Sequence, residues 1–466
     1  VDVVSPVWKT QNVNIDKTNK KVTVELIATD KYLTGTENST LTTGNITVIV
    51  DGKSASITKG LSKPTFSTNS KTGLKEIKYT LTLTNWEQTE KQSGNIFLEW
   101  SGTTKIKIAA GTITDKYTNK SIEKTFELGH VDFIKPRIEK VSSTKDETAK
   151  TETIIFNVID KYLYTTDEVT ASDITVSVGG EKASGIKKNL IRVAANDTSV
   201  TINGKSQVVA QQYKLVLSDF EQPRGSKLYR DWSGTVSIDI AENAVKDQVI
   251  TVGEITSGGN TNDSVTLTGD FVDFITPDFT YEYSNTTIDH GNKKVTIVFY
   301  IADKYFNTSK LTSDTSASNI KVTVDGKTIT NDTNQKKKLS KEDVKETIDG
   351  KANTKIGEKY TLELTNLDLG GGGDYSGIVK LAFAEGVVTD TSENKSIAKT
   401  ITIGIDDPKT GDGHDNGVIV DVVSPVWDIR NINVDNANKV VTAELIAKDK
   451  YLTDTTNSKL TTGDIT

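Results

Sequence analysis

Apolar and polar residues alternate in short runs along the whole chain. Val22, Val24, Leu26 and Ala28 are separated by Thr23, Glu25 and Ile27, a period of two that puts one face of a β-strand inward. The same register returns as Ile154, Phe156 and Val158, and again as Val295, Ile297 and Phe299. Turn signals close the runs at Asp51-Gly52, Gly179-Gly180 and Asp325-Gly326. No stretch longer than about ten residues carries a sustained helical apolar face. Residues 338–347 are the one place where a short helix is expected, within a loop. Six to nine short strands in each block of about 130 residues predict an all-β fold of antiparallel two-sheet sandwiches.

The blocks repeat. Val1-Asp2-Val3-Val4-Ser5-Pro6 returns as Val131-Asp132-Phe133-Ile134-Lys135-Pro136, as Val272-Asp273-Phe274-Ile275-Thr276-Pro277 and as Val420-Asp421-Val422-Val423-Ser424-Pro425. Each start is followed by Asp-Lys-Tyr, at Asp30, Asp160, Asp303 and Asp449. Trp100-Ser101-Gly102, Trp232-Ser233-Gly234 and Tyr375-Ser376-Gly377 come later in the three complete repeats. The boundaries read as sandwiches over 1–130, 131–271 and 272–405. An Asp/Gly-rich linker over 406–419 and the first part of a fourth repeat over 420–466 follow. Residues 1–47 and 420–466 are identical at roughly two-thirds of positions, as a duplicated three-domain block would give. Further blocks of that kind are expected in the natural chain.

Composition narrows the function. The 466 residues carry a net charge of −7, spread along the chain, which disfavours nucleic acid and anionic membrane as partners. No apolar run approaches the roughly 20 residues of a membrane span. There is no cysteine, so disulfides, thiolate zinc sites and thiol catalysis are excluded together. Cysteine-free domains held by packing alone are typical of proteins exported by Gram-positive bacteria.

Gly111-Thr112-Ile113-Thr114-Asp115 leads to Asn119, and Gly386-Val387-Val388-Thr389-Asp390 leads to Asn394, each before a last strand. With the Asp-x-x-x-Pro start, this pattern resembles the bacterial immunoglobulin-like domains of large surface adhesins. The second repeat departs: Glu242-Asn243-Ala244-Val245-Lys246-Asp247 keeps the Asp but lacks the Gly and the following Asn. The resemblance implies an immunoglobulin-like sandwich with an adhesive or spacer role, no common ligand and no catalytic activity.

Candidate chemistry is sparse. His130, His290 and His414 do not recur at equivalent positions, and Glu87 and Glu221 have no counterpart pair in the third repeat. Gly370 to Gly373 lack the Lys and helix of a phosphate loop and read as a hairpin tip. Lys336-Lys337-Lys338 reads as a solvated loop. Trp86, Phe220 and Leu367, and likewise Trp100, Trp232 and Tyr375, read as caps on the ends of sandwich cores.

The recurrent aspartates are the exception. In a Greek-key sandwich the loops holding Asp2, Asp30 and Asp115 share one end, as do those of Asp132, Asp160 and Asp247, and of Asp273, Asp303 and Asp390. Two readings stay open. Each Asp closes an Asx turn, or each trio holds calcium, which takes six to eight oxygens in loose geometry. The Asp/Gly-rich linker Asp406 to Gly417 lacks the terminal Glu of an EF-hand loop and reads as a hinge, flexible or stiffened by calcium. The leading functional expectation is a non-catalytic stalk or adhesin segment on a bacterial surface, whose partner is a protein or glycan ligand or copies of itself. A filament or surface-layer subunit and a carbohydrate-binding array are the alternatives.

Overall fold

β1 (Val7–Asp16) and β2 (Lys21–Asp30) open the first repeat, followed by β3 (Ile46–Val50), β4 (Lys53–Ser54), β5 (Thr58–Leu61) and β6 (Thr65–Thr68). β7 (Lys75–Thr84), β8 (Gly102–Ile108) and β9 (Lys124–Val131) complete it. They form two antiparallel sheets, β1-β2-β7-β5 with β6 also on β7, and β4-β3-β8-β9. The computed structural model describes all residues except 1, 88–99, 165, 167, 222–226, 230–231, 254, 312–316, 331–335, 368–374, 404–418 and 453–458. The side chains of 282–284 and 419 are likewise outside it.

The period-two reading holds at the level of single side chains. Val22, Val24, Leu26 and Ala28 are fully buried, facing Val48, Ile106 and Ile108 of the other sheet in one core. Each buried Val, Leu or Ile among them contributes roughly 1.5–3 kcal/mol of apolar burial. Ile154, Phe156 and Val158, and Val295, Ile297 and Phe299, are buried in the same way. The Asp51-Gly52 turn joins β3 to β4 with both residues left-handed, φ 47° and 77°, the conformation of a two-residue hairpin turn.

The second repeat repeats the plan. Arg137–Asp146, Thr151–Ile159, Lys205–Ser218 and Lys187–Arg192 make one sheet, and Glu181–Lys182, Ile174–Val178, Gly234–Ile240 and Val265–Val272 the other. It adds a hairpin, Val249–Val252 with Ile255–Gly258. In the third repeat the sheets are Asp278–Asp289, Lys294–Ala302, Lys351–Leu364 and Lys337–Ile348, and Lys327–Thr328, Lys321–Val324, Gly377–Phe383 and Lys399–Thr402. The fourth contributes a hairpin of Val426–Asp435 and Val440–Lys448.

The expected helix at 338–347 is absent: these residues lie inside the strand Lys337–Ile348. Helix propensity is worth only tenths of a kcal/mol per residue. It is outweighed by a continuous ladder against Lys351–Leu364 and by burial of Leu339 and Ile348. Nor is the triple lysine a solvated loop. Lys336 and Lys337 are buried, and the Lys337 ammonium lies 3.3 Å from the Ile320 carbonyl oxygen.

Two compact units emerge, residues 1–218 with 235–270, and residues 219–234 with 271–466. The core of the first sandwich takes in Val131 and Phe133 from the opening of the second repeat, and that of the third takes in Val420 and Val422 from the opening of the fourth.

Candidate metal centre

The strand ends bring nine aspartates into three groups. Asp2, Asp30 and Asp115 each place a carboxylate oxygen within 4.8 Å of the others, as do Asp132, Asp160 and Asp247, and Asp273, Asp303 and Asp390. All are buried except Asp2, which is half-buried. In each trio one residue opens the repeat, one lies at or just after the end of the second strand and one stands ahead of the repeat's last strand.

Local turns aim these carboxylates. The Asp30, Asp160 and Asp303 Oδ1 atoms accept the N–H two residues on, from Tyr32, Tyr162 and Tyr305, at 2.6–2.8 Å. Asp115 Oδ1 accepts the N–H groups of Tyr117 and Asn119, and Asp390 Oδ1 those of Ser392 and Asn394. Asp132 Oδ1 accepts Ile134 N–H and the Ser101 hydroxyl. Asx turns thus form at seven of the nine aspartates, Val4 N–H bonding Asp2 Oδ1 among them, while Asp247 and Asp273 take distant partners; the carboxylates converge in either case. The turns fix one oxygen of each of these carboxylates; the second oxygen of Asp115 and of Asp390 accepts the side-chain amide of Asn119 or Asn394.

The Asn missing from the second repeat is present after all. Asn260 donates its N–H to Asp247 Oδ1 and its side-chain amide to Asp247 Oδ2. Asn119 and Asn394 do the same for Asp115 and Asp390. The extra hairpin Val249–Gly258 is inserted between Asp247 and its Asn. The signal available in sequence was Gly258-Gly259-Asn260-Thr261-Asn262, a turn followed by paired asparagines.

Electrostatics make these groups costly while they are charged. At an effective dielectric of 20, two carboxylates near 4.8 Å repel by roughly 3 kcal/mol. Burial pushes Asp132 up to about 6, and burial followed by the Asp132 charge pushes Asp247 up to about 7. Burial also raises Asp30. Asp115 feels burial most, but the hydrogen bonds from Asn119 outweigh it and hold the carboxyl below its usual range. The donor set is all oxygen and triply negative, which suits a hard divalent cation and not a soft one. The Oδ2 atoms of Asp2 and Asp132 are buried and accept no hydrogen bond. Such orphaned carboxylate oxygens in the first two trios fit a calcium ion, which Asp2, Asp30 and Asp115, or Asp132, Asp160 and Asp247, would hold; in the third trio Asp273 Oδ2 accepts the Ser392 hydroxyl instead.

A second recurring feature adjoins the trios. The Lys161 ammonium, between Asp160 and Tyr162, donates to the Ser101 carbonyl and, at 2.8 Å, to Asp51 Oδ2 in the preceding repeat. The Tyr162 hydroxyl and the Asn203 amide donate to the same Asp51 carboxylate. Lys304 donates to the Ser233 carbonyl at 2.5 Å, and Lys450 to the Ser376 carbonyl at 2.8 Å and to Asp325. Asp51 also explains the Gly of Trp-Ser-Gly: a Cβ on Gly102, at φ 144°, would lie 2.2 Å from Asp51 Oδ2. The second repeat has Gly179-Gly180 in place of Asp-Gly. There the carboxylate near Lys304 is Asp349, 3.6 Å away at the tip of the third repeat's long hairpin. The signal for this lysine in the sequence is its recurrence as Lys31, Lys161, Lys304 and Lys450, each between an Asp and a Tyr.

Trp86, Phe220 and Leu367 are buried at sandwich ends, Trp86 edge-on to Phe133 and Phe220 edge-on to Phe274. Trp100 is buried, and Trp232 and Tyr375 are half-buried. Glu87 and Glu221 are exposed, Glu87 pairing with Lys20 at 2.7 Å. His130 is buried edge-on to Tyr162, and His290 is exposed. His414, Gly370 to Gly373 and the linker Asp406 to Gly417 lie outside the described residues. No protein-family model matches the chain, and no curated protein matches it.

Proposed function

We propose that this chain is a non-catalytic segment of a repetitive bacterial cell-surface stalk or adhesin, in which calcium held by the aspartate trios stiffens the joint ahead of each repeat. One observation carries the reading, the position of the second and third trios at repeat joints. Asp132 and Asp273 belong to the opening segments whose next residues, Phe133 and Phe274, are buried against Trp86 and Phe220. Each also accepts the hydroxyl of a Trp-Ser-Gly serine, Ser101 or Ser233, at 2.8 and 2.9 Å. A cation there ties three segments of one repeat to the serine ahead of Gly102 or Gly234 in its neighbour, which serves reach and stiffness rather than turnover. The tandem repeats and their resemblance to bacterial surface adhesin domains support export to the surface of a Gram-positive cell.

Calorimetric titration of the chelator-stripped full chain with calcium tests the metal. Three sites are expected, one per trio, with a higher melting temperature, and Asp160→Asn should remove one of them. No binding heat and identical melting in chelator would sink the calcium reading.

A further inference from the structure

The second and third trios share one frame and differ at one oxygen. In both, Oδ1 of the opening aspartate accepts a serine hydroxyl, Ser101 on Asp132 at 2.8 Å and Ser233 on Asp273 at 2.9 Å. In both, an asparagine grips the last aspartate through N–H and side-chain amide, Asn260 on Asp247 and Asn394 on Asp390. The Oδ2 atoms of the opening aspartates differ. Asp132 Oδ2 is buried and accepts no hydrogen bond. Asp273 Oδ2, on an equally buried residue, accepts the Ser392 hydroxyl at 2.9 Å. Ser392 stands two residues before Asn394, and the matching positions before Asn119 and Asn260 hold Tyr117 and Gly258. The Tyr117 ring lies edge-on to Tyr32, with 4.9 Å between centroids. Gly258 has φ 80°, and a Cβ there would lie 2.1 Å from the Gln248 carbonyl oxygen. No side chain at that position can therefore supply the hydroxyl in the second repeat.

We propose that the Ser392 hydroxyl stands in for a cation at the third trio, which is thereby held closed without metal and takes calcium after the second. The order of filling rests on the calcium reading; the closing role of the hydroxyl does not. In the second trio the empty state carries an unsatisfied buried carboxylate oxygen, a cost that an incoming cation removes. In the third trio the hydroxyl has already removed that cost, so the same cation gains less. One hydrogen bond to a carboxylate separates the two affinities by on the order of tenfold. Trios alike in charge and donor type thus answer to different calcium levels. Falling calcium loosens the aspartate tip of the second repeat before that of the third.

Hydrogen exchange of the full chain, read at Tyr162 and Tyr305 across a calcium titration, tests this. Their N–H groups bond Asp160 in the second trio and Asp303 in the third. In chelator Tyr305 should be the better protected of the two. Calcium should protect Tyr162 first, with the midpoint for Tyr305 roughly tenfold higher. Ser392→Ala should speed exchange at Tyr305 in chelator and bring its midpoint down to that of Tyr162, whose own midpoint stays in place. Equal midpoints in the unaltered chain would overturn the proposal. So would a Tyr305 midpoint that rises in Ser392→Ala, since the hydroxyl would then be a ligand of the ion. If calcium protects neither tyrosine, the calcium reading falls by itself and the chelator comparison alone decides the hydroxyl. Faster Tyr305 exchange in Ser392→Ala then upholds its closing role, and unchanged exchange overturns it.

Discussion

Asn260 grips Asp247 from two directions, its N–H 2.8 Å from Oδ1 and its side-chain amide 2.7 Å from Oδ2. The ten-residue hairpin between them packs on β9 instead of disturbing the site. Its Ser257 hydroxyl donates to the His130 carbonyl at 2.7 Å, and Lys17 donates to the Gly258 carbonyl at 2.8 Å. Replacing residues 248–259 by Lys-Tyr-Thr, the spacing of the first repeat, should therefore keep the trio and loosen the first joint. Hydrogen exchange at His130 should speed up while that of Val24 and Ile154 stays unchanged. Unaltered exchange at His130 would mean the hairpin braces nothing. Asn260→Ala leaves buried acceptor capacity on Asp247 and should cost about 1–3 kcal/mol.

Lys161→Met removes the cation from a pair in which both side chains are nearly buried. Tyr162 and Asn203 still donate to Asp51, which softens the loss. The expected cost is roughly 2–3 kcal/mol in chemical denaturation of the full chain, below that of stranding a buried charge outright. Lys31→Met, at an exposed equivalent, should change stability by less than about 0.5 kcal/mol. Equal effects of the two substitutions would show that the joint contributes nothing.

Phe133→Ala should destabilise the first sandwich, although the residue opens the second repeat. It fills a core with Trp86, and truncating a buried Phe costs about 3–5 kcal/mol. Residue-resolved exchange should report the loss at β2 and β7. Val3→Ala, at the exposed counterpart, should leave melting where it was.

The pH dependence of the chelated protein has two opposing parts. Burial holds Asp132 and Asp247 up to about 6 and about 7, above their unfolded values near 4. Their stabilising contribution is complete below pH 4 and is lost as pH rises through 6 and 7. Burial holds His130 down to about 4, against about 6.5 unfolded. Its contribution is complete above pH 6.5 and falls by up to about 3 kcal/mol as pH drops towards 4. The double variant Asp132→Asn/Asp247→Asn should therefore leave stability rising with pH from 4 to 6.5, and His130→Phe should leave it falling from 4 to 7. Variants that share one pH profile would contradict both assignments. Calcium affinity should rise with pH through 7, because the ion competes with these protons.

The repeat frame, the all-β class and the inward parity of Val22 to Ala28 were legible from residue order alone. They depend on periodicity and turn chemistry, which act within a few residues. The convergence of Asp2, Asp30 and Asp115 was legible once a two-sheet topology was assumed, because alternate loops of a sandwich share an end. Three features were decided only in three dimensions. Lys337–Ile348 is a strand because a partner strand supplies hydrogen bonds that outweigh its helix-forming residues. Asn260 serves Asp247 across an inserted hairpin, so no fixed spacing announces it. Phe133 and Lys161 belong energetically to the repeat before their own, because burial and buried charge pairing depend on which surfaces meet, not on order along the chain.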